Sequence, residues 1–207
     1  MSLFITFEGG EGSGKSSQSR ALYRRLSQVV VPALLTQEPG GTPPGKKISR
    51  WLKWNLEAEI SPLTELMLFN ASRAQLVTDV IQPALEEGKI VICDRYTDST
   101  TAYQSYGRGL DLAMVLSINK MATHGLEPEL TILLDLPVET GLARKSKLQP
   151  DRFERESLAF HQRVRDGYLK MADSNPEQWL VVDATLPRVR VTEIIWQRVK
   201  RMLSQQG

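Results

Sequence analysis

The sequence predicts an α/β fold, a five-stranded parallel sheet with helices on both faces. Two patterns carry that prediction. Short apolar runs rich in β-branched residues alternate along the chain with longer segments of helical period. The runs are mostly continuous instead of alternating, as strands buried on both faces are. Length sets the scale: 207 residues suit one domain, residues 1–207, that buries roughly 70% of its unfolded surface around one core.

The first run, LFITFE at residues 3–8, is followed by a glycine-rich stretch and then by SSQSRALYRRLSQ, which has helical period. The second run, VVVPALL at 29–35, contains Pro32, which marks a strand start or a sheet edge. A long helix is expected in SPLTELMLFNASRAQLVTDVIQPALEEG, with Ser61 as N-cap, Pro62 in the first turn and Glu65 near the capping-box position. It ends before Gly88, and Pro83 kinks or divides it. The remaining runs are KIVICD at 89–94, LTILLDL at 130–136 and WLVVDA at 179–184. Helical patterns lie between and after them: LDLAMVLSINKMATHG, VETGLARKSK, ESLAFHQRVRDGYLKMADS and RVRVTEIIWQRVKRMLS. Right-handed crossovers then place helices on both faces of the sheet. Repeats, low-complexity segments and flexible linkers are absent from the sequence.

Composition excludes several classes of function. Twenty-six basic against 24 acidic residues leave a net charge of +2, so nothing calls for a nucleic-acid polymer as partner. A lone Cys93 makes no intramolecular disulfide, and the start MSLFITFEGG lacks the features of a secretory signal. No window approaches eighteen apolar residues, so neither a membrane span nor a membrane partner is expected. The expected location is the cytoplasm.

Gly9, four further residues and then Gly14-Lys15-Ser16 fit G-x-x-x-x-G-K-[ST] between a strand and a helix. The stretch Gly9, Gly10, Glu11, Gly12, Ser13, Gly14, Lys15, Ser16 and Ser17 can turn its N–H groups inward as an anion nest at a helix start. Lys15 is expected to meet the β- and γ-phosphates of ATP, and Ser16 to ligate Mg²⁺. The plain alternative is a glycine turn with a surface lysine, a pattern that average usage produces about one time in a hundred in a chain this long. The fold expected is that of the P-loop NTPases. Asp94-Arg95 closes the third apolar run, where ligands of open α/β sheets collect. Asp94 can hold Mg²⁺ directly or through water, and the fork of Arg95 can bridge donor and acceptor phosphates. A local ion pair is the alternative for these two.

Four segments, FEGGEGSGKSS, EPGGTPPGKKI, LMLFNASRAQ and DRYTDSTTAYQ, together resemble motifs of the thymidylate kinase family in order and spacing, and RVRDGYLKMA resembles a fifth. The resemblance implies phosphorylation of dTMP to dTDP with ATP and Mg²⁺, and a homodimer. It implies that Phe69 stacks on thymine and that Arg73, one helical turn on, meets its carbonyl edge. Thr100 and Gln104 match positions that approach the base, and Tyr103 one that lies against the nucleotide. Glu11 matches an acid facing the sugar 3′-hydroxyl, and Tyr168 a tyrosine standing where a ribose 2′-hydroxyl would lie. Glu38 and Pro39 belong to a tight loop brought toward the acceptor.

Two departures from the family pattern stand out. Gln37 occupies a position where arginine is usual. Gly12 fills the loop position that in some members carries a catalytic arginine, so the arginine is expected from a short lid, approximately residues 141–154. Arg152 in DRFE matches best and Arg144 is the second candidate; Lys145 and Lys147 neutralise charge without a bidentate fork. A kinase for another nucleoside monophosphate shares the loop and the Asp-Arg pair. A nucleotide-binding switch would need a base-reading motif such as N-K-x-D, which the sequence lacks. Trp51, Trp54 and the C-terminal tail receive no role, and His124 and His161 have no metal-site pattern.

Overall fold

Five strands run parallel in the order β2-β3-β1-β4-β5 in the computed structural model, which describes residues 2–54, 59–145 and 149–205. They are β1 (Leu3–Glu8), β2 (Ala33–Gln37), β3 (Ile90–Asp94), β4 (Leu130–Asp135) and β5 (Trp179–Asp183). Strand β1 is central, and the expected alternation of strand and helix holds. Its side chains divide between the two faces because successive residues of a strand point opposite ways. Leu3, Ile5 and Phe7 pack with Leu22 and Leu26 of α1 (Lys15–Gln28) and with Ile195 and Val199 of α9 (Arg188–Gln205). Phe4 faces the other way, among Leu76, Val77, Ile81 and Tyr96. A further cluster on that side joins Leu133 of β4 to Phe160, Val164 and Tyr168 of α8 (Leu158–Ser174).

Two local expectations need correction. The second strand begins at Ala33, not Val29: Val29 caps α1, and Val30 stands 87% exposed with φ 59°. A β-branched run there ends a helix, and Pro32 precedes the strand. The tight loop expected after β2 stops short of its turn residues Pro43, Pro44 and Gly45, which open α2 (Pro43–Trp54); prolines are tolerated in a first turn, whose N–H groups lack intrahelical partners. The long helix does open on Ser61, whose hydroxyl accepts from Thr64 N–H. It runs as α3 (Pro62–Leu76), a π-helical stretch Val77–Ile81 and α4 (Gln82–Glu86), so the expected division falls just before Pro83, through a turn of widened winding.

The segment after β3 forms α5 (Thr97–Thr100), which passes into a π-helical stretch, Thr101–Gly107. Helix α6 (Leu112–Thr123) follows it, and α7 (Val138–Lys145) follows β4. Lys147 lies outside the described residues, as does the end of the C-terminal tail. Among the described residues no helix is long and apolar enough to cross a membrane.

Candidate active site

The carboxyl ends of β1, β2 and β3 open onto one cavity of about 470 Å³, within the range of ligand sites. Beyond β1 the backbone turns through Gly9, Gly12 and Gly14, all at positive φ, into α1. Gly14 is the N-cap and provides no side-chain cap, so first-turn N–H groups remain for an anion. Lys15 folds over this loop, donating to Gly9 O (2.9 Å), Gly10 O (2.7 Å) and Ser13 Oγ (3.2 Å). Burial, and then the charge of Arg95, lower its ammonium to about 7. The Ser16 hydroxyl donates to the Asp94 carboxylate.

Gly12 is required by close approach. A Cβ there would lie 2.0 Å from Gly141 O, and one at Gly141 would lie 2.2 Å from Glu11 O. The loop and the first turn of α7 therefore meet backbone to backbone, and no side chain fits at position 12. That contact brings the cations of α7 to the loop. Arg144 reaches Gly12 O (3.5 Å) and donates to Ala184 O (3.2 Å). Lys145 pairs with Glu11 (2.9 Å) and Glu154 (2.6 Å).

Arg95 follows β3 in the left-handed region, φ 73°, a conformation costing about 1–3 kcal/mol in a non-glycine residue and found at functional sites. Its guanidinium bonds Glu11 (2.8 Å) and Ser99 (3.2 Å). Burial works against ionisation of Glu11, but Arg95, Lys15 and Lys145 together hold its carboxyl well below the usual carboxylate range. Tyr103 donates to the same carboxylate (2.8 Å).

The other half of the cavity is built from side chains of α3 to α6. Arg73 is 1% exposed. Its Nε donates to Glu38 (2.8 Å), its Nη1 to Asn70, Thr100 and Asn119 (3.1, 2.9 and 3.0 Å) and its Nη2 to Tyr96 O (3.0 Å). All its donors thus serve the walls of the pocket. Burial pushes the Glu38 carboxyl up to about 7 against the pull of Arg73, and Glu38 Oε1 is buried without a hydrogen-bond partner among the described residues. Phe69 packs against Phe153, ring centroids 5.7 Å apart. Gln104 donates to Glu65 (2.7 Å).

Of the residues expected in the site, all but Gly9, Gly10, Arg152 and Tyr168 line this cavity. Gly9 and Gly10 act from behind, through their carbonyls on Lys15. Arg152 turns away to Leu52 O (2.9 Å) and to the Glu65 carboxylate. Tyr168 bonds Glu8 and Ser99 (2.9 Å each) below the pocket, whereas Tyr103 lines it. Gln37 also lines the cavity, as do Arg20 and Lys53. Lys145, expected as a lid cation, lines the cavity; sequence reading gave no site role to Glu8, Ser99, Glu65 and Asn119, whose partners lie far off in the chain. Among the described residues no three His, Cys, Asp or Glu side chains cluster as a metal site. The Ser16–Asp94 pair instead suits Mg²⁺, which takes one or two protein oxygens and completes its shell with phosphate and water.

Comparison with known proteins gives a consistent result. The family model described as thymidylate kinase matches residues 7–195. Thymidylate kinase of Dehalococcoides mccartyi strain CBDB1 is 58% identical over 203 residues, 98% of each chain. That of Thermomicrobium roseum is 50% identical over 208 residues, covering 99% of this chain and 98% of the other. The crystal structure of thymidylate kinase from Ehrlichia chaffeensis matches with a TM-score of 0.77 at 33% identity, over 97% of this chain and 98% of that one.

Proposed function

The chain belongs to the thymidylate kinase family, its activity is phosphorylation of dTMP, and we propose that Mg²⁺–ATP is the donor and the residues described above carry the transfer to dTDP. The observation that supports this most is that a phosphate nest and a second, side-chain-built pocket open into the same cavity. A nucleotide switch needs only the first.

In this reading the loop amides and Lys15 hold the donor phosphates, and Ser16 with Asp94 holds Mg²⁺. The metal, when bound, neutralises charge on the phosphate oxygens. Lys15 leaves its loop carbonyls for phosphate and regains a full charge there, since an anion offsets the burial that lowers it. Arg95, fixed by Glu11 and Ser99, reaches between donor and acceptor phosphates. Arg144 supplies the cation that position 12 cannot. The acceptor phosphate is already ionised, so the protein contributes positioning and charge and no general base is needed.

On the acceptor side Phe69 stacks on thymine, Arg73 presents its charge to the carbonyl edge, and Thr100 and Gln104 meet the polar edge. Pro39 and Glu38 close the pocket from β2, and Glu11 and Tyr103 face the sugar. Phe69, Tyr103 and Phe153 keep water from the reacting phosphates. Exposed Leu63 and Met67 on α3 and Leu112, Leu116 and Met121 on α6 form the face we assign to a homodimer contact, and the proposed location is the cytoplasm. ADP formation measured with dTMP, dUMP, UMP, CMP and GMP tests the reading. Strongest stimulation by dTMP is expected, and no stimulation by dTMP overturns it.

A further inference from the structure

Glu65 lies behind the base pocket with no exposed surface. It joins three segments that the chain keeps far apart. One carboxylate oxygen accepts from Gln104 Nε2 (2.7 Å) and from Arg108 Nε (3.2 Å). The other accepts from Arg108 Nη2 (3.2 Å) and from Arg152. Arg108 is itself fixed by Glu156 (2.6 Å) and by the face of Phe160 (4.8 Å), and Arg152 by Leu52 O and the face of Phe153 (4.6 Å). Of these, only Gln104 and Phe153 line the cavity.

A carboxylate between two guanidiniums accepts hydrogen bonds and donates none. The side-chain amide of Gln104 must therefore turn its NH₂ toward Glu65 and its carbonyl oxygen the other way. We propose that Glu65, clamped by Arg108 and Arg152, is a positioning residue that fixes the Gln104 amide as a hydrogen-bond acceptor toward the base and so selects imide bases over cytosine. Thymine carries an N3–H donor between two carbonyls. Cytosine has an unprotonated N3 at that place, and its lone pair would face the Gln104 oxygen. A buried polar group left without a partner is what makes such discrimination large. The same geometry gives Arg152 a defined task, the electrostatic lock on Glu65, in place of contact with the transferred phosphate. The inference rests on the proposed contact between Gln104 and the base.

The test is the ratio of kcat/KM for dTMP to that for dCMP, with the thermal midpoint measured alongside. In Glu65→Gln the new amide can donate or accept, so Gln104 is free to turn over. The ratio is expected to fall by about tenfold or more, the scale of one lost hydrogen-bond match. Because Glu65→Gln leaves two arginines without their carboxylate, a second variant, Glu65→Gln with Gln104→Glu, keeps one carboxylate in the cluster and restores an acceptor toward the base. It is expected to regain preference for dTMP over dCMP. A purely structural role would lower both substrates equally, so an unchanged ratio in Glu65→Gln overturns the inference, as does a folded double variant without dTMP preference. Failure of the wild-type chain to use dTMP would instead sink the parent reading.

Discussion

The donor side of the cavity is made of backbone, and the acceptor side is made of side chains. At the loop, selection falls on what is missing: Gly12 and Gly141 touch backbone to backbone, and glycine dihedrals aim N–H groups at an anion. Across the cavity Arg73 ties Glu38, Asn70, Thr100, Asn119 and Tyr96 into one buried network. Rate and stability therefore separate between the two sides. Change at Lys15 on the donor side should cost rate with little effect on folding, because its ammonium bonds only neutral loop oxygens. Change on the acceptor side should cost stability and base binding, because its charges already serve one another.

The largest separation is expected at Lys15. Lys15→Met should lower kcat by about 10³, the scale for loss of one preorganised charge contact, with a melting temperature close to wild type; steady-state kinetics and calorimetry on one sample check both. Next is Arg73→Met, which leaves the buried Glu38 carboxyl without its cation and should cost about 3–5 kcal/mol in denaturant unfolding at alkaline pH, where that group is forced to ionise. The sign of its pH dependence follows from Glu38. Burial already raises that carboxyl to about 7, and loss of Arg73 raises it further above its unfolded value. Relative to wild type the variant should therefore lose stability as pH rises above about 7, where the wild-type carboxyl ionises and the variant's stays protonated, and its deficit should shrink as pH falls below 7. Adding Glu38→Gln should restore much of the loss. Smallest is Phe69→Ala, expected to weaken dTMP binding by about 1–3 kcal/mol, the worth of one base-stacking contact, with kcat changed far less. A fall confined to kcat would contradict its place on the acceptor side.

The same division explains what was legible in the sequence. A backbone site needs consecutive residues with special dihedrals, so Gly9 through Ser17 stand out as a contiguous motif, and Asp94-Arg95 closes an apolar run. Phe69 and Arg73 are one helical turn apart and were readable once their segment resembled a family motif. Glu65 could not be found in this way: its position in the first turn of a helix read as a cap, while its partners Arg108 and Arg152 lie 43 and 87 residues on. Asn119 was hidden in a segment whose period spoke only of a helix. Arg152 was preferred over Arg144 because DRFE fits a motif. Motif matching carries no direction for a side chain, and tertiary structure turns Arg152 toward Glu65. Among the elements, the five strands were readable from their buried runs. Helix α2 was missed because Pro43, Pro44 and Gly45 are turn residues anywhere except in a first turn.

The most direct test of the division is kcat and KM for dTMP in Arg144→Ala beside Arg152→Ala. Arg144→Ala is expected to lose about 10² or more in kcat with KM nearly unchanged, the result for a cation acting on the transferred phosphate, while Arg152→Ala keeps kcat within a few-fold and shifts base preference. The reverse result, kcat lost with Arg152 and kept without Arg144, would contradict it.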